Sequence, residues 1–178
     1  MAIRIVLGHG ASGNAASMSH YVEGLRRRGI DALAIDLPVR RAEDAIDAFR
    51  GQVPPDGDIA MGGQSYGGRV ASLLAAQPTA DGVSEPRALV LFSYPLHRPG
   101  TPDGETRVAH WPAIRCPVLL LSGEADPFAR IDLLRRAVDL LAAAELVTYP
   151  RLGHTLRPVF DDALDRTAAF LASLDVAG

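Results

Sequence analysis

The segment AMGGQSYGGR, residues 60–69, sets four glycines around one serine, after an apolar run and before a helix-forming one. An ordinary loop serine needs no such backbone freedom. A serine at the tip of a sharp strand-to-helix turn does. There the strand and helix approach so closely that side chains two positions either side of the serine would collide. Gly63 and Gly67 occupy those two positions in the pattern G-x-S-x-G. The segment therefore reads as strand, tight turn and helix.

Working outward, short apolar runs rich in β-branched residues alternate with longer amphipathic ones. Strands are expected at 3–7 (IRIVL), 31–36 (DALAID), 58–61 (DIAM), 87–93 (RALVLFS), 117–122 (PVLLLS) and 145–149 (ELVTY). Helices are expected over 14–29, with Gly29 as the stop signal, and over 41–51, 66–77, 130–144 and 160–174. Strands apolar along their whole length suit a parallel sheet buried on both faces. Strict alternation of strand and helix predicts the α/β class: a doubly wound, mostly parallel six-stranded sheet flanked by helices. The 178 residues are read as one domain, 1–178.

Bulk composition narrows the function classes. The net charge of −3 supplies no field for nucleic acid or an anionic membrane. All 18 basic residues are arginine, which reads as coding bias. The lone Cys116, in RCPVLLL, reads as a buried core thiol and demands no oxidising compartment. No apolar run approaches the ~18 residues of a membrane span, and the opening MAIRIVLGHG reads as a strand instead of a signal peptide. A cytoplasmic location is expected.

In a parallel sheet the ligand lies beyond the carboxyl ends of the strands, so the loops after those ends hold the candidates. Ser65 is the candidate nucleophile, the competing role being a helix N-cap. His154, in RLGHTLRP after the sixth strand, is the candidate general base. Asp126, in SGEADPFARI after the fifth, is the candidate partner that holds the imidazole, with Glu124 in reserve; Asp126 before Pro127 also suits a helix start. The Gly-rich GHGASG (8–13) after the first strand would bring the Ala11 amide to an oxyanion, with the Tyr66 amide as second donor.

GHGASG also fits G-x-G-x-x-G, with Asp36 ending the next strand, which is the dinucleotide-binding fingerprint. That alternative leaves the serine turn, His154 and Asp126 without a purpose. In the loop 94–112, Tyr94 and His97 are candidate substrate contacts, though for His97 a surface position in a proline-rich loop is the favoured reading. His9 is expected to brace the first loop or touch substrate, and Arg69 to face solvent or anchor an acidic group. His20 and His110 have no carboxylate or thiol at metal-ligand spacing, so neither a metal nor a cofactor is expected.

With these pieces assembled, the chain resembles the α/β-hydrolase superfamily over nearly its whole length. More narrowly it is similar to the small dienelactone-hydrolase-like proteins, including the KAN-regulatory type. The segments that carry the likeness are GHGASGN (8–14), GGQSYGGR (62–69), YPLHRPG (94–100), RVAHWPAI (107–114), GEADPF (123–128) and GHTL (153–156). Residues 94–112 are too few for an inserted lid domain, so a compact, open site is expected, and the resemblance implies hydrolysis of an ester or related acyl bond in a small substrate. It implies Ser65, Asp126 and His154 as the triad. The subgroup tends to Lys-Ser-Met where this chain has Gln64-Ser65-Tyr66. Enzymes named for dienelactone use cysteine there, so their specific activity is not carried over. A hydrolase-fold binding or scaffolding protein is the other reading, because fold does not fix function.

Overall fold

The structure is a computed structural model, described over residues 3–55, 58–78, 85–101 and 107–175. Six strands form one sheet: β1 (Arg4–Gly8), β2 (Asp31–Ile35), β3 (Ile59–Gln64), β4 (Ala88–Phe92), β5 (Val118–Gly123) and β6 (Ala144–Tyr149). Their order is β2-β1-β3-β4-β5-β6, and every pairing is parallel. The sheet is thus wholly parallel, where the sequence predicts a mostly parallel one.

The helices are α1 (Ser19–Arg26), α2 (Ile46–Arg50), α3 (Tyr66–Ala75), α4 (Ile131–Ala137) and α5 (Phe160–Asp175). Side chains alternate across the sheet, so β4 sends Leu89 and Leu91 to one core and Val90 and Phe92 to the other. On the first face these pack with Phe49 of α2, Val70 of α3 and Leu134 of α4. On the second they pack with Leu25 of α1 and Leu164 of α5. Every residue of β4 and β5 is buried, as expected for central strands covered on both faces.

Local chemistry sets where elements stop. After α1 the chain turns through Gly29 at φ 80°, with the Ile30 amide returning to the Leu25 carbonyl at 3.1 Å. The expected helix from 14 is a 3-10 turn over Ala15–Met18 that then leads into α1. Asn14 caps that turn by accepting from the Ser17 amide at 3.1 Å. α3 and β1 meet with almost no gap: a Cβ on Gly67 would overlap the backbone carbonyl of Gly8. Only glycine allows that approach, and it fixes the turn at Ser65 against the end of β1.

The strand order has one reversal. From β1 the chain goes outward to β2 and then back across to β3, so the loops leaving β1 and β3 diverge to opposite faces. A crevice opens there, between the segment after Gly8 and the turn at Ser65.

Candidate active site

Ser65 sits at φ 48°, ψ −111°, backbone space that a side chain other than glycine rarely visits. Its amide donates to the Phe92 carbonyl at 2.8 Å and its carbonyl accepts from Arg69 at 3.0 Å, so both flanks of the turn are tied down. Although Ser65 occupies the N-cap position of α3, its hydroxyl makes no capping bond. It contacts His154 Nε2 at 2.9 Å instead. The capping alternative is excluded by this geometry.

His154 lies in the loop after β6, Asp126 in the loop after β5. The two loops are joined by backbone bonds from Glu124 to Tyr149 and from Ala125 to Leu152, each 2.9 Å. His154 Nδ1 and Asp126 Oδ2 are 2.7 Å apart. The carboxylate accepts there, which assigns the proton to Nδ1 and leaves Nε2 free to accept from the Ser65 hydroxyl. The side chain of Asp126 is fully buried and that of His154 is 26% exposed. Asp126 Oδ1 accepts from the Phe128 amide at 2.8 Å, and the Phe128 ring lies 4.4 Å from the imidazole. Phe128 is a contact that the sequence reading did not single out. Glu124 turns away, accepting from Thr148 at 2.8 Å and pairing with Arg135 at 2.9 Å.

Ala11 lies in the turn just after β1, and Tyr66 is the first residue of α3. A first-turn amide has no partner inside its helix, and among the described residues neither the Ala11 nor the Tyr66 amide has an acceptor. His9 is buried, its Nδ1 toward the Gly10 carbonyl at 2.7 Å and its Nε2 accepting from the Leu37 amide at 2.9 Å. It braces the loop after β1 against the loop after β2. Asp36 accepts from the Ala15 amide at 2.7 Å, so its carboxylate serves backbone at the point where the dinucleotide reading would place a ribose.

Two candidates stand elsewhere. His97 is 2% exposed, with Nδ1 toward the Arg98 carbonyl at 2.8 Å and Nε2 accepting from the Arg130 amide at 3.0 Å. Neither ring nitrogen is left for a substrate, and the residue is not at the surface. Tyr94 is buried against Trp111 at 5.1 Å, and its hydroxyl donates to the Arg107 carbonyl at 2.6 Å. Burial raises its phenol pKa. Both residues hold the loop after β4 in place. Residues 102–106 of that loop lie outside the described residues. Arg69 is 20% exposed and paired with Glu43, not solvent-facing.

Cys116 is buried, and burial pushes its thiol up to about 12, so it stays protonated and unreactive at neutral pH. Among the described residues no three His, Cys, Asp or Glu side chains converge as metal ligands, and no helix is long and apolar enough to cross a membrane.

A profile of the alpha/beta hydrolase domain matches residues 1–173. No match was found among curated proteins. ClbQ of the colibactin NRPS/PKS pathway has a similar solved structure, with TM-score 0.78 over 100% of both chains at 18% identity. The monoacylglycerol lipase of Paleococcus ferrophilus gives 0.76 over 96% of this chain and 94% of its own, at 16% identity. Est1E of Butyrivibrio proteoclasticus gives 0.72 over 97% and 89%, also at 16%. At such identities the likeness is one of fold.

Proposed function

The chain belongs to the alpha/beta hydrolase domain family, and on that premise we propose that it is a serine hydrolase acting on an ester or related acyl bond of a small substrate. The observation that carries the proposal is the continuous contact from Ser65 through His154 to buried Asp126, at 2.9 and 2.7 Å.

In this reading the Ser65 oxygen attacks the acyl carbonyl while His154 Nε2 takes its proton. The imidazolium so formed is stabilised by the Asp126 carboxylate. The carbonyl oxygen becomes an oxyanion held by the Ala11 and Tyr66 amides, each donor contributing ~3 kcal/mol to the transition state. The positive end of α3 adds to that field. His154 then gives its proton to the leaving oxygen as the acyl–oxygen bond breaks. Water, deprotonated in turn by His154, releases the acyl group and restores Ser65. The strained backbone of Ser65 supports this role, since it aims the hydroxyl outward from the sheet. The narrower likeness to dienelactone-hydrolase-like proteins is part of the same proposal and rests on the sequence segments alone.

A fluorophosphonate probe tests it. We expect stoichiometric labelling, with the adduct on the peptide containing Ser65 and no labelling of Ser65→Ala. A folded sample that resists the probe, and that cleaves none of a panel of p-nitrophenyl esters of graded chain length, would overturn the assignment in favour of a binding or scaffolding role.

A further inference from the structure

A cleft of about 960 Å³ opens beside Tyr66 and runs along α3 away from the serine. Its walls include Arg40, Arg41, Arg69, Arg98 and Arg107, and one carboxylate, Glu43. Among the described residues, five guanidiniums and one carboxylate line this cleft, in a chain whose net charge is −3. Coding bias explains why basic residues are arginine, but not why they gather here.

The pairing pattern separates these arginines from the rest. Outside the cleft, nine of thirteen arginines have a carboxylate within 4.0 Å among the described residues. Inside it, Arg69 and Arg41 share Glu43, at 2.5 and 3.9 Å. Arg40, Arg98 and Arg107 have no carboxylate partner among the described residues. The Nε of Arg69 is buried without a hydrogen-bond acceptor. Arg40 and Arg98 are exposed, whereas burial first and the Arg69 and Arg98 charges second lower the Arg107 pKa, so like charges repel here and a bound anion would relieve that repulsion. The cleft therefore has the charge, the donors and the concavity of an anion site.

Its placement ties it to the serine turn. Tyr66 supplies the proposed oxyanion amide, while its side chain forms the near wall and its hydroxyl donates to the Pro38 carbonyl at 2.7 Å. Arg69 lies one turn further along α3, about 6 Å in axial rise from Ser65. A group extended from the acyl carbon past Tyr66 would run along this cleft toward Arg69. Resting on the serine-hydrolase reading, we propose that this cleft selects substrates carrying a carboxylate or phosphate several bonds from the scissile acyl group, with Arg69, Arg98 and Arg107 as the anion's partners. These arginines are specificity residues, with no share in the bond-breaking step.

The test measures binding and turnover separately. Inorganic phosphate and succinate are titrated calorimetrically into the wild-type protein and into Arg98→Gln/Arg107→Gln, whose fold is checked by circular dichroism. We expect saturable binding of at least one anion, weakened about tenfold in the double variant and by raising salt from about 0.05 to about 0.5 M. Next, the mono-4-nitrophenyl ester of adipic acid and its ω-phosphonate counterpart are compared with 4-nitrophenyl hexanoate. One anionic ester should exceed the neutral one by about tenfold in kcat/KM, chiefly through KM, and that ratio should collapse in the double variant. The arm that wins identifies carboxylate or phosphate. No saturable binding of either anion to the wild type up to about 20 mM, or equal kcat/KM for charged and neutral esters, overturns the proposal. Anion binding without cleavage of any ester would instead sink the hydrolase reading while leaving the anion site standing.

Discussion

Asp126 does two jobs with its two oxygens, and separating them gives a sharp test at the residue scale. Oδ2 faces His154 Nδ1, and Oδ1 accepts the Phe128 amide that shapes the loop. Asparagine at 126 keeps an oxygen for Phe128 but presents an amide N–H₂ to the imidazole, forcing the proton to Nε2 where it opposes the Ser65 hydroxyl. We expect Asp126→Asn to lower kcat about 10³- to 10⁴-fold while thermal unfolding moves by only a few degrees. Asp126→Ala should lose both functions, with about 1–2 kcal/mol of stability lost as well. Parallel ester kinetics and melting curves check the pair; a loss of activity matched by unfolding in the asparagine variant would mean Asp126 is only structural. The three residues were legible because each stands just past a strand end, where chain position alone predicts proximity. His97 and Tyr94 stand past a strand end too, yet both turn inward. Tyr94 packs against Trp111, which folds back onto it from seventeen positions away, and His97 is bonded to Phe128 and Arg130 of the segment after β5. No local pattern encodes that return.

At the scale of elements, the contact between β1 and α3 positions everything else. The Gly67 backbone rests on the Gly8 carbonyl, and the loop carrying Ala11 begins at Gly8. Gly67→Ala would push the helix off the strand, widening the gap between the Ala11 and Tyr66 amides. The expected cost is about 2–3 kcal/mol, from overpacking against backbone that has nowhere to move. Urea unfolding reads this as a lower midpoint with an unchanged slope. A variant as stable as the wild type would mean that the close approach does not constrain the turn. This strand–turn–helix unit was readable from the glycine spacing, although β3 runs to Gln64 instead of ending at Met61, because Gly62 to Gln64 still pair with β4. The expected helix over 130–144 failed at its end. Val138–Leu140 tightens to a 3-10 turn and Ala144 joins β6, paired with Val118. Alanine-rich sequence favours helix locally, but the sheet's open edge next to β5 claims those residues. Propensity lost to a tertiary bond network.

For the whole molecule, the distribution of charge matters more than its total. In a chain of net charge −3, the described walls of one cleft carry five arginines and one carboxylate, and the Arg69 charge acts on His110 there. Burial first, and the Arg69 charge second, lower the His110 pKa to about 4. The neutral ring is held at 2.8 Å from Ser72 Oγ; since that hydroxyl donates to the Arg69 carbonyl, it accepts from Nε2–H. Released by unfolding, the imidazole regains a pKa of about 6.5. Between about pH 4 and 6.5 the unfolded chain binds a proton here that the native state refuses, so acidification through this window favours unfolding. Solvent screening of the half-buried ring trims the effect to on the order of 2 kcal/mol. Replacing His110 with glutamine removes the titration and keeps an N–H donor for Ser72. Urea unfolding of wild type and His110→Gln at pH 7 and pH 4.5 isolates the difference, because the carboxylates common to both cancel. The wild type should lose about 2 kcal/mol more than the variant over that interval. Equal losses would mean that His110 protonates as readily in the folded protein as in the unfolded one, and that neither burial nor the Arg69 charge holds its pKa down.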